Sequence, residues 1–153
     1  MPLLMPGNIL NNILKGKLGV ASGWDTDPAN LERVTDGDID TVTGTGNKIM
    51  GGAGFYGYIT FDLGSVKTML LGARVGMWST AGTTNIYFET SNDNITYRNL
   101  QPILCASTAV AEIVSELVAK VVRGRYVRLR LYVSAAATAY AKIYEIMAWE
   151  LTL

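Results

Sequence analysis

Residues 85–101, NIYFETSNDNITYRNLQ, constrain the fold more than any other stretch of the chain. Ile86, Phe88 and Thr90 fall on one side, Asn85, Tyr87 and Glu89 on the other, which is the period of two of a half-buried strand. Four small polar residues follow, Ser91-Asn92-Asp93-Asn94, which accept tight-turn dihedrals and bond their own backbone. Ile95, Thr96 and Tyr97 resume the extended pattern, so the stretch predicts a β-hairpin. The same alternation recurs in residues 58–63 (YITFDL) and 69–75, each with its apolar positions two apart. In residues 125–133 (RYVRLRLYV), Val127, Leu129, Leu131 and Val133 oppose Tyr126, Arg128, Arg130 and Tyr132. A chain carrying these patterns is expected to be all-β.

Composition removes several classes of function. There is no histidine, which takes away the commonest general base, the serine–histidine triads and most zinc sites. The single cysteine, Cys105, permits neither an intramolecular disulfide nor a thiolate cluster, and is expected as a small buried hydrophobe. Thirteen basic residues balance thirteen acidic ones, so no overall field points to nucleic acid. Catalysis is therefore not expected. The start of the chain has no basic residue ahead of its apolar ones and no long apolar run, so neither a secretory signal nor membrane insertion is expected. At 153 residues the chain has the size of one domain. Its charged fraction, 17%, is low and its mean hydropathy, +0.21, is high for a free monomer, which suggests a subunit interface.

The remaining stretches are read from their punctuation. Residues 1–7, with two prolines, predict an extended arm, and residues 8–17 a single helical turn or irregular segment closed by Gly16. Residues 24–32 are polar and turn-rich, and residues 44–57, with six glycines, predict a long loop. Residues 109–122 fit a helix face through Val110, Ile113, Val114, Leu117 and Val121, while their β-branched valines favour a strand. Residues 134–141 predict a turn or packed loop. In residues 142–153, Ile143, Met147, Trp149 and Leu151 share one face and Tyr144, Ile146 and Ala148 the other, so this last strand calls for cover on both sides, with a neighbouring subunit as the candidate.

Asp36-Gly37-Asp38-Ile39-Asp40-Thr41 is the sharpest chemical candidate. Carboxylates at every second position in a glycine-containing loop offer oxygen ligands to a hard cation such as calcium. The alternative is that Asp36 and Asp38 simply bond turn N–H groups. Aromatic residues in or beside loops, Trp24, Tyr56 and Trp78, are candidates for a stacking platform, with Asp25, Arg74, Asn47 and Asn85 as polar partners. Arg123, Arg125, Arg128 and Arg130 form the one basic cluster, whose alternation with Tyr126 and Tyr132 reads as a solvated or interface face, or as an anion-binding ladder.

Several stretches, in order, carry a resemblance to a known family. K-L-G-V-A-S at 17–22, V-T-D-G-D-I-D-T-V-T at 34–43 with its D-G-D-x-x-T loop, Y-I-T-F-D-L-G at 58–64, E-T-S-N-D-N with I-T-Y-R at 89–98, and R-Y-V-R-L at 125–129, followed by an E-I-x-x-W closing strand, resemble discoidin domains. These are the type C domains of coagulation factors and their galactose-binding-like carbohydrate-binding-module relatives. The resemblance implies a jelly-roll β-sandwich over residues 17–153, preceded by an arm at 1–16. It also implies that Asp36, Asp38 and Thr41 join Glu145 of the last strand around a structural calcium. One departure is Thr43, where the family carries an aromatic. Two functions are then expected. One is a non-catalytic structural subunit of a larger homo-oligomeric or multi-copy assembly, such as a virion or surface particle. The alternative is a carbohydrate-binding module with a structural calcium and a glycan partner.

Overall fold

The computed structural model describes residues 4–5, 8–9, 11–22, 28–38, 47–51, 54–114, 118–133 and 137–151. The elements in chain order are β1 (Leu4–Met5), β2 (Asn8–Ile9), β3 (Val20–Ser22), α1 (Pro28–Arg33), β4 (Asn47–Gly51), β5 (Gly54–Ser91), β6 (Arg98–Val114), β7 (Val118–Val133) and β8 (Ala137–Glu150). The period-two stretches at 58–63, 69–75, 85–90 and 125–133 lie in β5 and β7, whereas Ile95, Thr96 and Tyr97, read as resuming the strand, lie in the turn before β6, which starts at Arg98. Residues 109–114 and 118–122 are strand, which decides between the two readings of that stretch.

The long strands bend, and each bend carries the chain from one layer of a sandwich to the other. In the first layer β7 is central. Its Leu129 faces Ile59 in one limb of β5 and Phe88 in another. β3 adds to the outer side of the first limb through Ala21 and Ile59, and β6 to the other through Leu104 and Ile86. In the second layer a middle limb of β5 pairs with β8, Leu71 opposite Ala148, and with the first half of β7, Leu71 opposite Lys120. β4 closes that layer's edge, Ile49 opposite Ala139 of β8. Every pairing is antiparallel. The corner between the first two limbs of β5 is turned at Gly64, φ +80°, whose N–H donates to the Asp62 carboxylate at 2.8 Å.

Alternation then fills the space between the layers. Ile59, Phe61, Ile86, Phe88, Val127 and Leu129 point in from the first layer, Met69, Leu71, Ala73, Val75 and Ile143 from the second. Each large side chain so buried contributes roughly 1.5–3 kcal/mol before ordering costs.

Several expectations need correction. Residues 28–33 form a helix instead of a loop, because proline at a first helical position presets φ and forgoes an N–H that would have no partner. Residues 47–51, within the stretch whose six glycines predict a loop, and the alanine-rich 137–141 are strands, not loops. They pair with each other, and a backbone ladder needs no large side chains. The arm doubles back as a two-residue pair, Leu4 opposite Ile9. In β8 the strict alternation breaks at a bulge. Arg74 faces Glu145 and Val75 faces Ile143, so Tyr144 is extra and Ile143 shares the core with Ile146 and Ala148.

The chain also covers β8 itself. Ile143 to Trp149 are all buried. The edge of β8 not held by β5 receives Ile13 N–H on the Ala148 carbonyl (2.8 Å) and donates Ile146 N–H to the Val34 carbonyl (2.7 Å). Asn12 Oδ1 accepts from Ala148 N–H at 3.1 Å. The doubly apolar sequence of this strand therefore does not require a second subunit. Cys105 lies in β6, its side chain outside the described ones.

Close packing of β3 against the core makes one position testable. A Cβ on Gly19 would stand 2.7 Å from Ile59 Cγ1 and 2.8 Å from Phe61 Cζ, both in the core. Gly19→Ala should therefore lower unfolding stability by about 1–3 kcal/mol by overpacking, measured by urea titration. A loss under a few tenths would show that the core yields there.

Candidate functional site

Two charged centres stand out, and the acidic loop is the one read from the sequence. Asp36 and Asp38 follow the short turn that ends α1, where Val34 hydrogen-bonds β8 and Thr35 Oγ1 donates to the Lys17 carbonyl at 2.8 Å. These ties place the loop against Glu145, which is fully buried in β8. Glu145 Oε1 accepts the Gly37 N–H at 3.1 Å, and Gly37 holds φ at +91°. Glu145 Oε2 is buried without a hydrogen-bond donor among the described residues. Burial, opposed in part by the Gly37 N–H, and then the Asp36 and Asp38 carboxylates push the Glu145 pKa up to about 8. Two carboxylates facing one another have no donor between them, so a proton or a cation is needed to reconcile them. Asp36 Oδ1 also accepts Asp38 N–H at 2.7 Å, so the turn-capping alternative is realised as well. Lys15 packs against Gly37.

Asp36 and Asp38 lie near enough to Glu145 to raise its pKa, while Thr41 lies outside the described residues. Among the described residues no three His, Cys, Asp or Glu side chains are arranged to hold a metal ion.

The candidate glycan platform is only partly described. Trp24 and Asp25 lie outside the described residues, and Tyr56 and Trp78 sit on β5 with side chains outside the described ones. Their backbones face Leu131 and Tyr140. Arg74 lies on the outer side of the second layer, its guanidinium 5.3 Å from the Tyr144 ring centroid.

The second centre covers the outer face of the first layer. One row of paired residues runs Thr60–Arg128–Glu89, the next Tyr58–Arg130–Tyr87, and a third Asp62–Tyr126–Ser91. Glu89 is 3% exposed, with Arg128 Nε ion-paired to its Oε2 and Arg130 3.7 Å from its Oε1. The Arg128 guanidinium lies 3.5 Å from the Tyr97 ring centroid and 5.0 Å from that of Tyr58. Beside it, Arg125 holds Asp62 through two bonds of 2.9 Å, which, with the Gly64 N–H, keep the Asp62 pKa at about 2.

Tyr97 is positioned by the hairpin turn. Asn94 adopts φ +62° and its Oδ1 accepts the Tyr97 hydroxyl. Tyr97 separates two grooves, of about 360 Å³ towards Tyr58, Tyr126 and Arg128 and about 380 Å³ towards Arg98 and Arg123. The sequence marks Arg128 and Tyr126 as outward. It does not show that Tyr58 and Tyr97 converge on them, although the period of two already puts Tyr58, Thr60 and Asp62 on the outer face.

Comparisons with known proteins bear on the fold. No family model matches the sequence, and no curated protein matches it. Solved structures do. A fucose-binding module of Streptococcus pneumoniae is 13% identical over 95% of this chain and 99% of its own, with a TM-score of 0.54. Chitosan-binding module 2 of a chitosanase/glucanase from Paenibacillus sp. IK-5, in complex with chitotriose, is 19% identical over 90% and 99%, with a TM-score of 0.51. CBM32-3 from a family 31 glycoside hydrolase of Clostridium perfringens is 15% identical over 93% and 95%, with a TM-score of 0.50. At such identities the likeness establishes the fold, a discoidin-like β-sandwich.

The turn that positions Tyr97 gives a pH prediction. Asp93 Oδ1 accepts the N–H groups of Ile95 (2.9 Å) and Thr96 (2.8 Å) and the Ser91 hydroxyl (2.8 Å), which hold its pKa at about 2 against an ordinary 3.8. The folded value is the lower one, so the stabilisation is complete above the unfolded pKa and is lost as pH falls towards 2. Carboxyl carbon NMR should give a midpoint near 2, and Asp93→Asn should remove that part of the acid dependence. A midpoint at the ordinary value would mean that the turn does not make these bonds.

Proposed function

We propose that the protein is a non-catalytic carbohydrate-binding module whose Asp36 loop holds a structural calcium ion. The fold it shares with carbohydrate-binding modules is the observation that carries this reading. The absence of histidine from the chain supports its non-catalytic part. The reading as a subunit of a larger assembly takes its strongest argument from β8, and that strand finds its cover within one chain. Low charge and an apolar arm remain in favour of assembly.

The glycan site of this reading comprises Trp24 and Asp25 with Tyr56, Arg74 and Trp78, the last three of which lie on β5. Aromatic faces stack on pyranose rings while the polar groups fix orientation. A glycan array probed with the full chain should yield hits, and Trp24→Ala or Trp78→Ala should weaken them at least about tenfold, the scale of one lost stacking contact. No binding to any glycan at millimolar concentration would end the reading.

The calcium ion would be held by Asp36, Asp38 and Glu145 with Thr41. The buried Glu145 Oε2 without a donor fits such a ligand set. Calcium at a hundred times its dissociation constant should add about 2.7 kcal/mol to stability, a rise in melting temperature of about 5–10 °C over the chelated protein. Glu145→Gln should abolish the rise. Identical melting curves with calcium and with chelator would leave Asp36 and Asp38 as turn caps alone.

A further inference from the structure

We propose that the grooves on either side of Tyr97 form one binding site for an acidic oligosaccharide, separate from the loop platform. The proposal rests on the reading of the protein as a glycan-binding module and adds a second site with its own ligand class.

The site is built by the fold. Tyr97 stands between the grooves and lines both. Its hydroxyl is held by Asn94 and its ring is covered on one side by Arg128, which Glu89 fixes from below. A side chain tied at both hydroxyl and ring loses little freedom when a ligand arrives. In the groove towards Tyr58, Thr60 is buried and its hydroxyl lies beside that of Tyr97, which donates to Asn94.

Charge decides the ligand class. Arg125 is neutralised by Asp62, and Glu89 takes up Arg128 with Arg130 close by. Arg98 and Arg123 line the second groove, are exposed, and make no ion pair with a described residue. The protein as a whole carries no net charge, so this face holds a local surplus of positive charge. Two guanidinium groups beside the exposed Thr96 match a pyranose bearing a carboxylate or a sulfate. Tyrosine rings and neutral hydrogen-bonding groups in the adjoining groove match the neighbouring sugar. Two free arginines on a neutral protein are too few for a nucleic-acid track, which gains affinity by matching many phosphates.

The test is amide NMR of the full chain titrated with a galacturonate hexasaccharide, a heparin-derived hexasaccharide and neutral chitohexaose. At least one acidic probe should shift amides in 58–62, 94–98 and 123–128. The galacturonate arm reads the carboxylate and the heparin arm the sulfate. Arg98→Ala with Arg123→Ala, both exposed, should keep the fold and weaken the acidic probe at least about tenfold. Binding of a neutral glycan elsewhere should stay unchanged. If neutral glycans bind at the loops while acidic probes leave these amides unmoved, the second site is refuted and the module reading stands. If no saccharide binds anywhere, both fall. A single-stranded DNA oligonucleotide that shifts the same amides as strongly as the saccharides would overturn the assignment of ligand class.

Discussion

The structure depends on β7 being paired along both edges by one continuous strand. Leu129 has Ile59 on one side and Phe88 on the other, and Arg128 has Thr60 and Glu89. Because side chains alternate strictly, fixing one of these registers fixes the face of every residue in three neighbouring strand segments. A slip of one residue would bring Arg128 and Glu89 into the core and put Phe88 and Leu129 in water. The hydrophobic cost of that exchange pins the register, and the arginine–tyrosine face is its other consequence.

That face explains why a carboxylate is buried outside the core. Glu89 lies where the layer would ordinarily meet solvent, yet Arg128 and Arg130 close over it and Tyr97 closes over Arg128. Removing one partner of such a buried pair leaves the other uncompensated, whereas the intact set specifies one arrangement. The hairpin turn therefore does more than reverse the chain. Asp93 organises it, Asn94 accepts a left-handed conformation within it, and the result is a fixed tyrosine above a fixed arginine.

Much of this was legible in the sequence because it follows from alternation. The hairpin at 85–101, the inward sets at 59–63 and 69–75, and the outward Arg128 all follow from the period of two. What escaped has a common physical origin. Segment 47–51 is short and set among glycines, and 137–141 is mostly alanine, so neither shows a period, and each is a strand paired with the other's backbone. The bulge at Tyr144 inverts the alternation within β8, and its cause lies in the register against Arg74 and Val75, some seventy residues away. The convergence of Tyr58 and Tyr97 on Arg128 depends on three strands at once. In the acidic loop, carboxylate spacing reached Asp36, Asp38 and Asp40, and only the family resemblance pointed to Glu145, which lies more than a hundred residues further along the chain.

Glu89 and Glu145 show two ways of holding a buried carboxylate in one sandwich. Glu89 is matched by cations belonging to the chain, so its charge is compensated whatever the solution contains. Glu145 is met by a single N–H and by further carboxylates, so its state depends on what the solvent supplies, a proton or a metal ion. The first arrangement suits a surface that must keep its shape while a ligand comes and goes. With the proposed ion bound, the packing of α1 and the N-terminal segment against β8 would respond to cation supply, because Val34 and Asn12 reach β8 just beyond that carboxylate, at Ile146 and Ala148. On the proposed reading an ion there would couple stability to the second layer, while the arginine–tyrosine face of the first would keep its geometry independently of it.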